Sequence, residues 1–257
     1  MDNIPYILDE TDDFAVVYKP PKMHCIPSKE KEQMTSNNGQ LENINDKREN
    51  TTVFEWYKEN SASVFDLVHR LDFETHGLVL IAKNEKSFNF FKSLQDNGEF
   101  VKEYSAVCVP NGNNIIEGFP DHGINLFDMK PTPQKPLIIM SYFRPYGPGR
   151  KQVRPVIDLQ KKRKEIAKDK GGFYRTEIIG INGNTFTVRI KRGFRHQIRC
   201  HLCWIGYPIL NDPLYSNGEA VFPAGEQKTD NLALGAHALF FTDPANGKHR
   251  EYCISKI

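Results

Sequence analysis

The segment VFDLVHRLDFETHGLVLIA, residues 64–82, combines two short apolar runs with a dense polar centre. The apolar runs cover Val64 to Val68 and Leu78 to Ala82, and the polar segment between them is 69–77. Apolar runs of this length on either side of a polar turn are typical of buried strands around a functional loop. We therefore predict two strands here, with reactive groups carried by the loop that joins them.

Further strands and helices are predicted on both sides of this segment. Runs of β-branched and aromatic residues bounded by turns predict strands, and apolar residues spaced three or four apart predict helices. In the last helix, Ile198, Leu202 and Ile205 form one apolar stripe, and the other faces are largely polar or basic. The pattern predicts an α+β fold with a largely antiparallel sheet. The predicted strands are Phe14–Tyr18, Phe100–Val109, Leu137–Phe143, Gly172–Ile181, Thr185–Ile190, Leu232–Phe241 and His249–Ile254, and the predicted helices are Thr51–Asn60, Lys86–Gln95 and Arg195–Ile205.

The chain length of 257 residues permits one large domain or two small ones. No internal repeat or second composition block divides the sequence, so we expect a single domain over residues 1–257 with its core from residue 14 onward. Residues 28–50 are nearly all polar and predict a mobile insertion. Residues 149–172 are rich in lysine and arginine and predict a basic insertion.

Several features bear on the compartment. Residues 1–13 are acidic and lack the basic start and apolar run of a secretory signal. No apolar stretch approaches the roughly 20 residues that cross a bilayer. The five cysteines, an odd number, suit free thiols in a reducing compartment better than a disulfide framework. These observations favour a cytoplasmic protein without a membrane partner.

The net charge of +2 conceals an uneven distribution of charge along the chain. No acidic residue lies between Glu177 and Asp212, while five basic residues do. Such a local excess predicts a positive surface for a polyanion such as RNA. The basic residues of this interval are Arg189, Lys191, Arg192, Arg195 and Arg199.

Asp72, in the polar segment 69–77, is the candidate catalytic residue. An aspartate acts as a nucleophile only when ionised, and a nearby arginine would keep it so in a partly buried cleft. The alternative is that Arg70 and Asp72 form a structural ion pair within a turn.

HRLD at residues 69–72, followed by Thr75, Gly77, Leu78 and Ala82-Lys83, resembles the catalytic signature of the RluA class of RNA pseudouridine synthases. Four further segments resemble motifs of that class in the same order, so the similarity runs from about Phe14 to the end of the chain. They are VVYKPPKM at 16–23, KEYSA at 102–106, HQIRCHL at 196–202 with GYPILND at 206–212 and Tyr215, and AHALFF at 236–241 with Pro244 and Gly247.

The resemblance implies a pseudouridine-synthase-like fold whose central cleft binds ribosomal or transfer RNA, and a single catalytic domain without an S4-type RNA-binding domain. It implies that Asp72 attacks an everted uridine, at either C6 or the ribose C1′. Tyr104 would stack on the base and act as general base, Arg199 would pair with Asp72, and Arg70 would fill the space that the uridine leaves. Further RNA contacts are expected at Thr75, Lys102, Arg195, His196 and Gln197, although His196 and Gln197 could instead be satisfied by local backbone. No metal and no nucleotide cofactor is expected, and a monomer is expected.

Two positions depart from the pattern of the class. His76 stands where serine is usual, and Arg192-Gly193-Phe194 stands where Thr-Gly-Arg is usual before HQIR. RNA contacts near these positions are therefore expected to differ.

Three rival interpretations remain. A catalytically silent RNA-binding module could keep the same scaffold, although it would not need Asp72, Tyr104 and Arg199 together. The sequence DFET at 72–75 faintly resembles the DxDxT motif of aspartyl phosphatases, which would require Mg²⁺. Cys200 and Cys203 form a CxxC pair, but no second ligand pair supports a zinc site.

Overall fold

The computed structural model describes residues 4–27, 51–110, 117–121, 130–157, 172–216 and 230–256. The predicted insertion at 28–50 and the part of the predicted basic insertion at 158–171 lie outside these residues.

The described residues form eleven strands, three α-helices and one 3₁₀ turn. Its strands are β1 Tyr6–Glu10, β2 Phe14–Lys19, β3 Asp66–Leu67, β4 His76–Ala82, β5 Val101–Val107, β6 Leu137–Tyr146, β7 Gln152–Val156, β8 Tyr174–Asn182, β9 Thr185–Ile190, β10 Leu234–Thr242 and β11 His249–Cys253. Its α-helices are α1 Val53–Asn60, α2 Glu85–Asn97 and α3 Gln197–Trp204, and a 3₁₀ turn covers Pro148–Arg150.

Within the described residues, all of these strands join one eleven-stranded sheet in the order β1-β2-β4-β10-β5-β9-β8-β6-β7, with β11 on β10 and β3 on β4. Every pairing is antiparallel except β4 with β10. The predicted α+β class with a mixed, largely antiparallel sheet is confirmed.

The parallel contact between β4 and β10 depends on glycine. Gly77 has a φ of +121°, and a Cβ on it would lie 2.3 Å from the carbonyl oxygen of Ala236. No L side chain fits so close to a neighbouring backbone. Gly77 therefore allows β4, which directly follows the polar segment 69–75, to pair closely with β10 in the middle of the sheet.

Helices cover both faces of the central strands. Val53 and Tyr57 of α1 pack with Val79 of β4 in one apolar cluster, and Phe91 of α2 packs with Leu80 of β4 in another. The start of α1 is fixed by a capping box in which Thr52 and Glu55 bond reciprocally. Because both faces are covered, the sheet is a rigid base for the loops at its edge.

Three local predictions need correction. The strand predicted over Val64 to Val68 is only two residues long, β3. Helix α3 begins at Gln197 rather than Arg195, and all eight of its residues are buried, including the polar and basic ones. The described part of the predicted basic insertion contains β7, which pairs with β6 and belongs to the sheet.

Candidate active site

A cleft of about 1230 Å³ lies over the loop that carries Asp72. Its walls come from the segment 68–75, the C-terminal part of α2, β5, and the segment that enters α3. All nine site residues predicted from the sequence line this cleft. They are Arg70, Asp72, Thr75, Lys102, Tyr104, Arg195, His196, Gln197 and Arg199.

Lys19 supports the backbone of the loop that carries Asp72. Its buried ammonium donates to the carbonyl oxygens of Pro20 at 2.8 Å and Phe73 at 3.1 Å. Burial lowers the pKa of Lys19 to about 8, against the raising effect of nearby acidic groups that include Asp72. The amide of Thr75 also donates to the carbonyl oxygen of Asp72 at 3.1 Å. These bonds fix the backbone at Asp72 and at the residue that follows it.

Arg199 joins Asp72 to a second carboxylate. Its Nε and Nη2 donate to the two oxygens of Asp212 at 2.8 and 2.7 Å, and its Nη1 lies 3.5 Å from Asp72 Oδ2. Burial would lower the pKa of Arg199, but the hydrogen bond and charge of Asp212, with the charge of Asp72, raise it overall. The guanidinium is therefore a permanent cation beside Asp72, whose side chain keeps 25% of its exposure.

The structure contradicts the alternative of a structural ion pair between Arg70 and Asp72. In the described part of the chain these two side chains form no ion pair, and Arg70 is exposed at the cleft. Asp72 instead meets Arg199 from α3, 127 positions away in the sequence.

Tyr104 extends from β5 into the cleft and is only 5% exposed. Burial, followed by the charge of Asp72, raises the pKa of its phenol above the ordinary value. The phenol is therefore protonated at neutral pH. Its ring can stack on a base, and its oxygen can take up a proton only while passing its own to another group.

His196 lies near Asp72 in the cleft, whereas Gln197 bonds to neighbouring groups of the fold. His196 has a φ of 57°, and its Nε2 lies 4.0 Å from Asp72 Oδ1 while its Nδ1 contacts the Tyr215 hydroxyl at 3.3 Å. Gln197 is 2% exposed, and its amide bonds to the Phe194 nitrogen, the Arg175 carbonyl and the Thr176 hydroxyl. These bonds support the structural alternative for Gln197.

The remaining predicted contacts differ in how accessible they are. Arg195 is exposed, and its Nη2 donates to the carbonyl oxygens of Arg150 at 2.6 Å and Gln152 at 3.4 Å. Lys102 is buried, donates to the carbonyl oxygen of Lys191 at 3.0 Å, and has its pKa lowered to about 7, mainly by burial. Thr75 is buried and its hydroxyl has no partner in the described structure.

The predicted positive surface is smaller than the sequence suggests. Arg199 is buried against Asp212, and Arg189 donates to Glu103 at 2.7 and 3.0 Å. In the predicted basic insertion at 149–172, Arg154 is also buried, and its Cζ lies 4.1 Å from the ring centroid of Tyr146. The exposed cations that line the cleft wall near α3 are Lys151, Arg192 and Arg195.

Sequence reasoning gave no role to two residues of the site. Asp212 and Lys19 lie inside the motifs quoted above, but only the fold shows which groups they contact. The CxxC pair is buried, with Cys200 donating to the Val153 carbonyl and Cys203 to that of Tyr215. Among the described residues, no three His, Cys, Asp or Glu side chains are grouped so that they could hold a metal ion.

Comparison with known families matches residues 13–204, about three quarters of the chain, to RNA pseudouridylate synthase. The chain belongs to this family. The RluA-class resemblance of the sequence is thereby confirmed. Relatives of the chain include the mitochondrial tRNA pseudouridine(32) synthase of Saccharomyces cerevisiae, 30% identical over 191 residues, and the human pseudouridylate synthase RPUSD2, 29% identical over 214 residues.

These alignments cover 74% and 82% of this chain, but only 34% and 31% of the two relatives. The chain therefore spans about a third of their length. The solved structure of human RNA Pseudouridylate Synthase Domain Containing 1 matches 99% of the chain and 84% of its own with a TM-score of 0.60 and 15% sequence identity. That likeness identifies the fold. No helix among the described residues is both long and apolar enough to cross a membrane.

Proposed function

We propose that this protein isomerises uridine to pseudouridine in ribosomal or transfer RNA, with Asp72 as the nucleophile. The observation that carries the proposal is the carboxylate of Asp72 in the cleft, 3.5 Å from the buried guanidinium of Arg199. A fixed cation keeps a partly buried carboxylate ionised and oriented, which nucleophilic catalysis requires. Family membership supports the same reaction.

The isomerisation breaks the N1–C1′ bond and forms a C5–C1′ bond. C5 loses its proton, N1 gains one, and no electron leaves the substrate. The chain must therefore supply a nucleophile, a route for one proton, and a site that holds the detached base in place. Asp72 supplies the nucleophile, by adding either to C6 of the base or to C1′ of the ribose.

Tyr104 is the candidate for the proton route. Its buried ring borders the same cleft as Asp72, so it can stack on the everted base. Because its phenol is protonated, it accepts the C5 proton as a relay that releases its own proton to a neighbouring base, which can be the carboxylate of Asp72 once the bond between Asp72 and the substrate has broken.

A uridine inside an RNA helix cannot reach Asp72, so the base must leave its stack at a cost of about a few kcal/mol. Arg70, exposed at the cleft, is placed to fill the vacated space. Arg195 offers its exposed guanidinium to phosphate, while Thr75, Lys102 and His196 complete the contacts nearer the base. The five unpaired cysteines suit the cytoplasm, and we propose that one monomer suffices.

The test is release of tritium from [5-³H]uridine-labelled total RNA in buffer with EDTA. We expect release by the wild type and none by Asp72→Ala, with RNA affinity retained by both. Asp66→Asn is the matched control, because Asp66 is an exposed carboxylate on the preceding strand and outside the cleft. Tritium release by Asp72→Ala would refute Asp72 as the nucleophile. Absence of release from the wild type with every RNA pool would refute the proposed reaction and favour a silent RNA-binding module.

A further inference from the structure

Phe194 is a partly exposed aromatic ring in the wall of the cleft. It lies flat on Phe143, with ring centroids 4.9 Å apart and an interplanar angle of 7°, and its centroid is 4.9 Å from that of Tyr174. Both supporting rings are buried, with 1% and 4% of their surface exposed. Phe194 is therefore backed by core residues while remaining accessible from the cleft.

The backbone of Phe194 is also fixed. Its amide donates to the side-chain oxygen of Gln197 at 2.9 Å, and its carbonyl accepts from the Gln197 amide at 3.0 Å. Gln197 is in turn tied to the Arg175 carbonyl and the Thr176 hydroxyl. A ring held in this way loses little conformational entropy when a ligand packs against it.

Three cations line the same cleft as this ring. Arg192 and Arg195, on either side of Phe194 in the sequence, are exposed in the same cleft, and so is Lys151. The Arg192 guanidinium lies 5.1 Å from the centroid of Tyr174, and Arg195 is anchored on the carbonyl oxygens of Arg150 and Gln152. A fixed aromatic face beside positive charges is the combination that binds unpaired nucleotides, because the bases stack and the phosphates are neutralised.

We infer that Phe194 is a stacking platform for an unpaired nucleobase that neighbours the target uridine. This inference rests on the proposed function. In the proposed function Tyr104 stacks on the target base, so Phe194, which packs on Phe143 and Tyr174, is assigned to a different nucleotide. The site therefore selects RNA whose flanking base is free to leave its own stack.

The first experiment compares tritium release at RNA concentrations well below saturation. Replacing the ring by an aliphatic chain, in Phe194→Leu and Phe194→Met, is expected to lower the rate about tenfold, the effect of one lost base stack. Phe194→Trp is expected to stay within about threefold of wild type because it still stacks. Phe173→Leu is the matched control, because Phe173 is an exposed ring that packs on Tyr142 outside the cleft.

The second experiment uses an oligouridylate decamer that carries one 2-aminopurine, whose fluorescence falls when the base stacks. Each protein carries Asp72→Ala, so no turnover occurs, and anisotropy of the same probe reports binding. We expect quenching with the ring present and about a tenfold smaller affinity with Phe194→Leu. Thermal unfolding of each variant shows that the fold is kept.

Several outcomes would overturn the inference. They are aliphatic variants as active as wild type, a Phe194→Trp variant as impaired as Phe194→Leu, or a decamer that fails to bind or binds without quenching. Since the decamer result needs no variant of Phe194 to be informative, loss of folding in one variant does not prevent the test. If the wild type releases tritium and the Phe194 variants release it equally fast, this inference alone is refuted. If no RNA yields any release, the proposed function is refuted.

Discussion

Arg199 is shared unequally between two carboxylates, and this inequality shapes the site. Two of its nitrogens are bonded to Asp212, which is fully buried, and the third approaches Asp72 at the longer distance of 3.5 Å. Asp212 also accepts the amides of Leu214 and Tyr215, so it is fixed independently of the arginine. Asp212 thus orients the cation, and Asp72 is left free enough to react.

We predict that Asp212→Asn destabilises the protein and reduces tritium release. Removing one charge of a buried pair costs up to about 3–5 kcal/mol of unfolding free energy, and the remaining pair of Arg199 with Asp72 offsets part of that cost. The freed Arg199 is then expected to bind Asp72 more tightly and to hinder its attack on uridine. Urea unfolding and tritium release would measure the two effects. The control is Arg175→Gln, which breaks the half-exposed pair with Glu177 and should cost about 0–1 kcal/mol. Equal losses in both variants would contradict the role given to Asp212.

Lys102 makes stability depend on pH. Its burial lowers its pKa from 10.5 to about 7. Between these values the folded state holds a neutral amine while the unfolded state keeps the proton, so unfolding becomes less favourable as pH rises through this window. Relative to Lys102→Met, the wild type should gain about 1 kcal/mol per pH unit between about pH 7 and 9. Urea unfolding at several pH values tests this, and an unfolding free-energy difference that is constant with pH would show that Lys102 is charged in the fold.

At the scale of elements, α3 shows what a local pattern can and cannot predict. The stripe of Ile198 and Leu202 is visible in the sequence, and both residues are buried as expected. The polar residues of α3 look like a solvent-facing side, yet His201 lies between the hydroxyls of Ser141 and Thr176, which are 60 and 25 positions away. A buried polar group is stable only with such partners, and partners distant in the sequence leave no periodic signal. The Asp72 loop was predictable because its residues are contiguous.

The junction of β4 and β10 contains a pair of residues that depend on each other. A Cβ on Gly235 would lie 2.6 Å from Nε2 of His76, the residue that departs from the usual serine. His76 is 5% exposed, and burial lowers its pKa to about 4, so it stays neutral in the fold. The bulky ring at position 76 is therefore accommodated because position 235 has no side chain.

We predict that Gly235→Ala costs about 1–3 kcal/mol of unfolding free energy, the usual cost of overpacking a core. His76→Ser should relieve this cost, giving a coupling of about 1 kcal/mol or more in the double variant. Urea unfolding of the two single variants and the double variant measures the coupling. Gly180→Ala is the control, since its Cβ would meet Thr187 only at an ordinary 3.8 Å. Strictly additive effects of the two substitutions would disprove the dependence.

At the scale of the whole molecule, electrostatics depends on which charges the fold neutralises. Arg189 and Arg195 lie six positions apart in the same acid-free interval, but Arg189 is paired with Glu103 and Arg195 is exposed at the cleft. The sequence therefore predicted the sign of the surface and the general region, and could not predict its extent. Glu103, on β5, reaches Arg189 only because β5 and β9 are neighbours in the sheet.

The difference between the paired Arg189 and the exposed Arg195 predicts how RNA binding responds to salt. Affinity for the oligouridylate decamer should fall with rising salt, since binding to phosphates releases counterions. Arg195→Gln, in the Asp72→Ala background, should reduce the slope of log affinity against log salt concentration by about 0.7, the value for one phosphate contact on a single strand. Arg189→Gln is the matched control and should leave the slope unchanged, because Glu103 already neutralises that arginine. Anisotropy titrations at four salt concentrations would measure both slopes. If the Arg189 variant instead lost as much slope as the Arg195 variant, RNA would have to displace Glu103, and the binding surface would extend along β9 beyond the cleft.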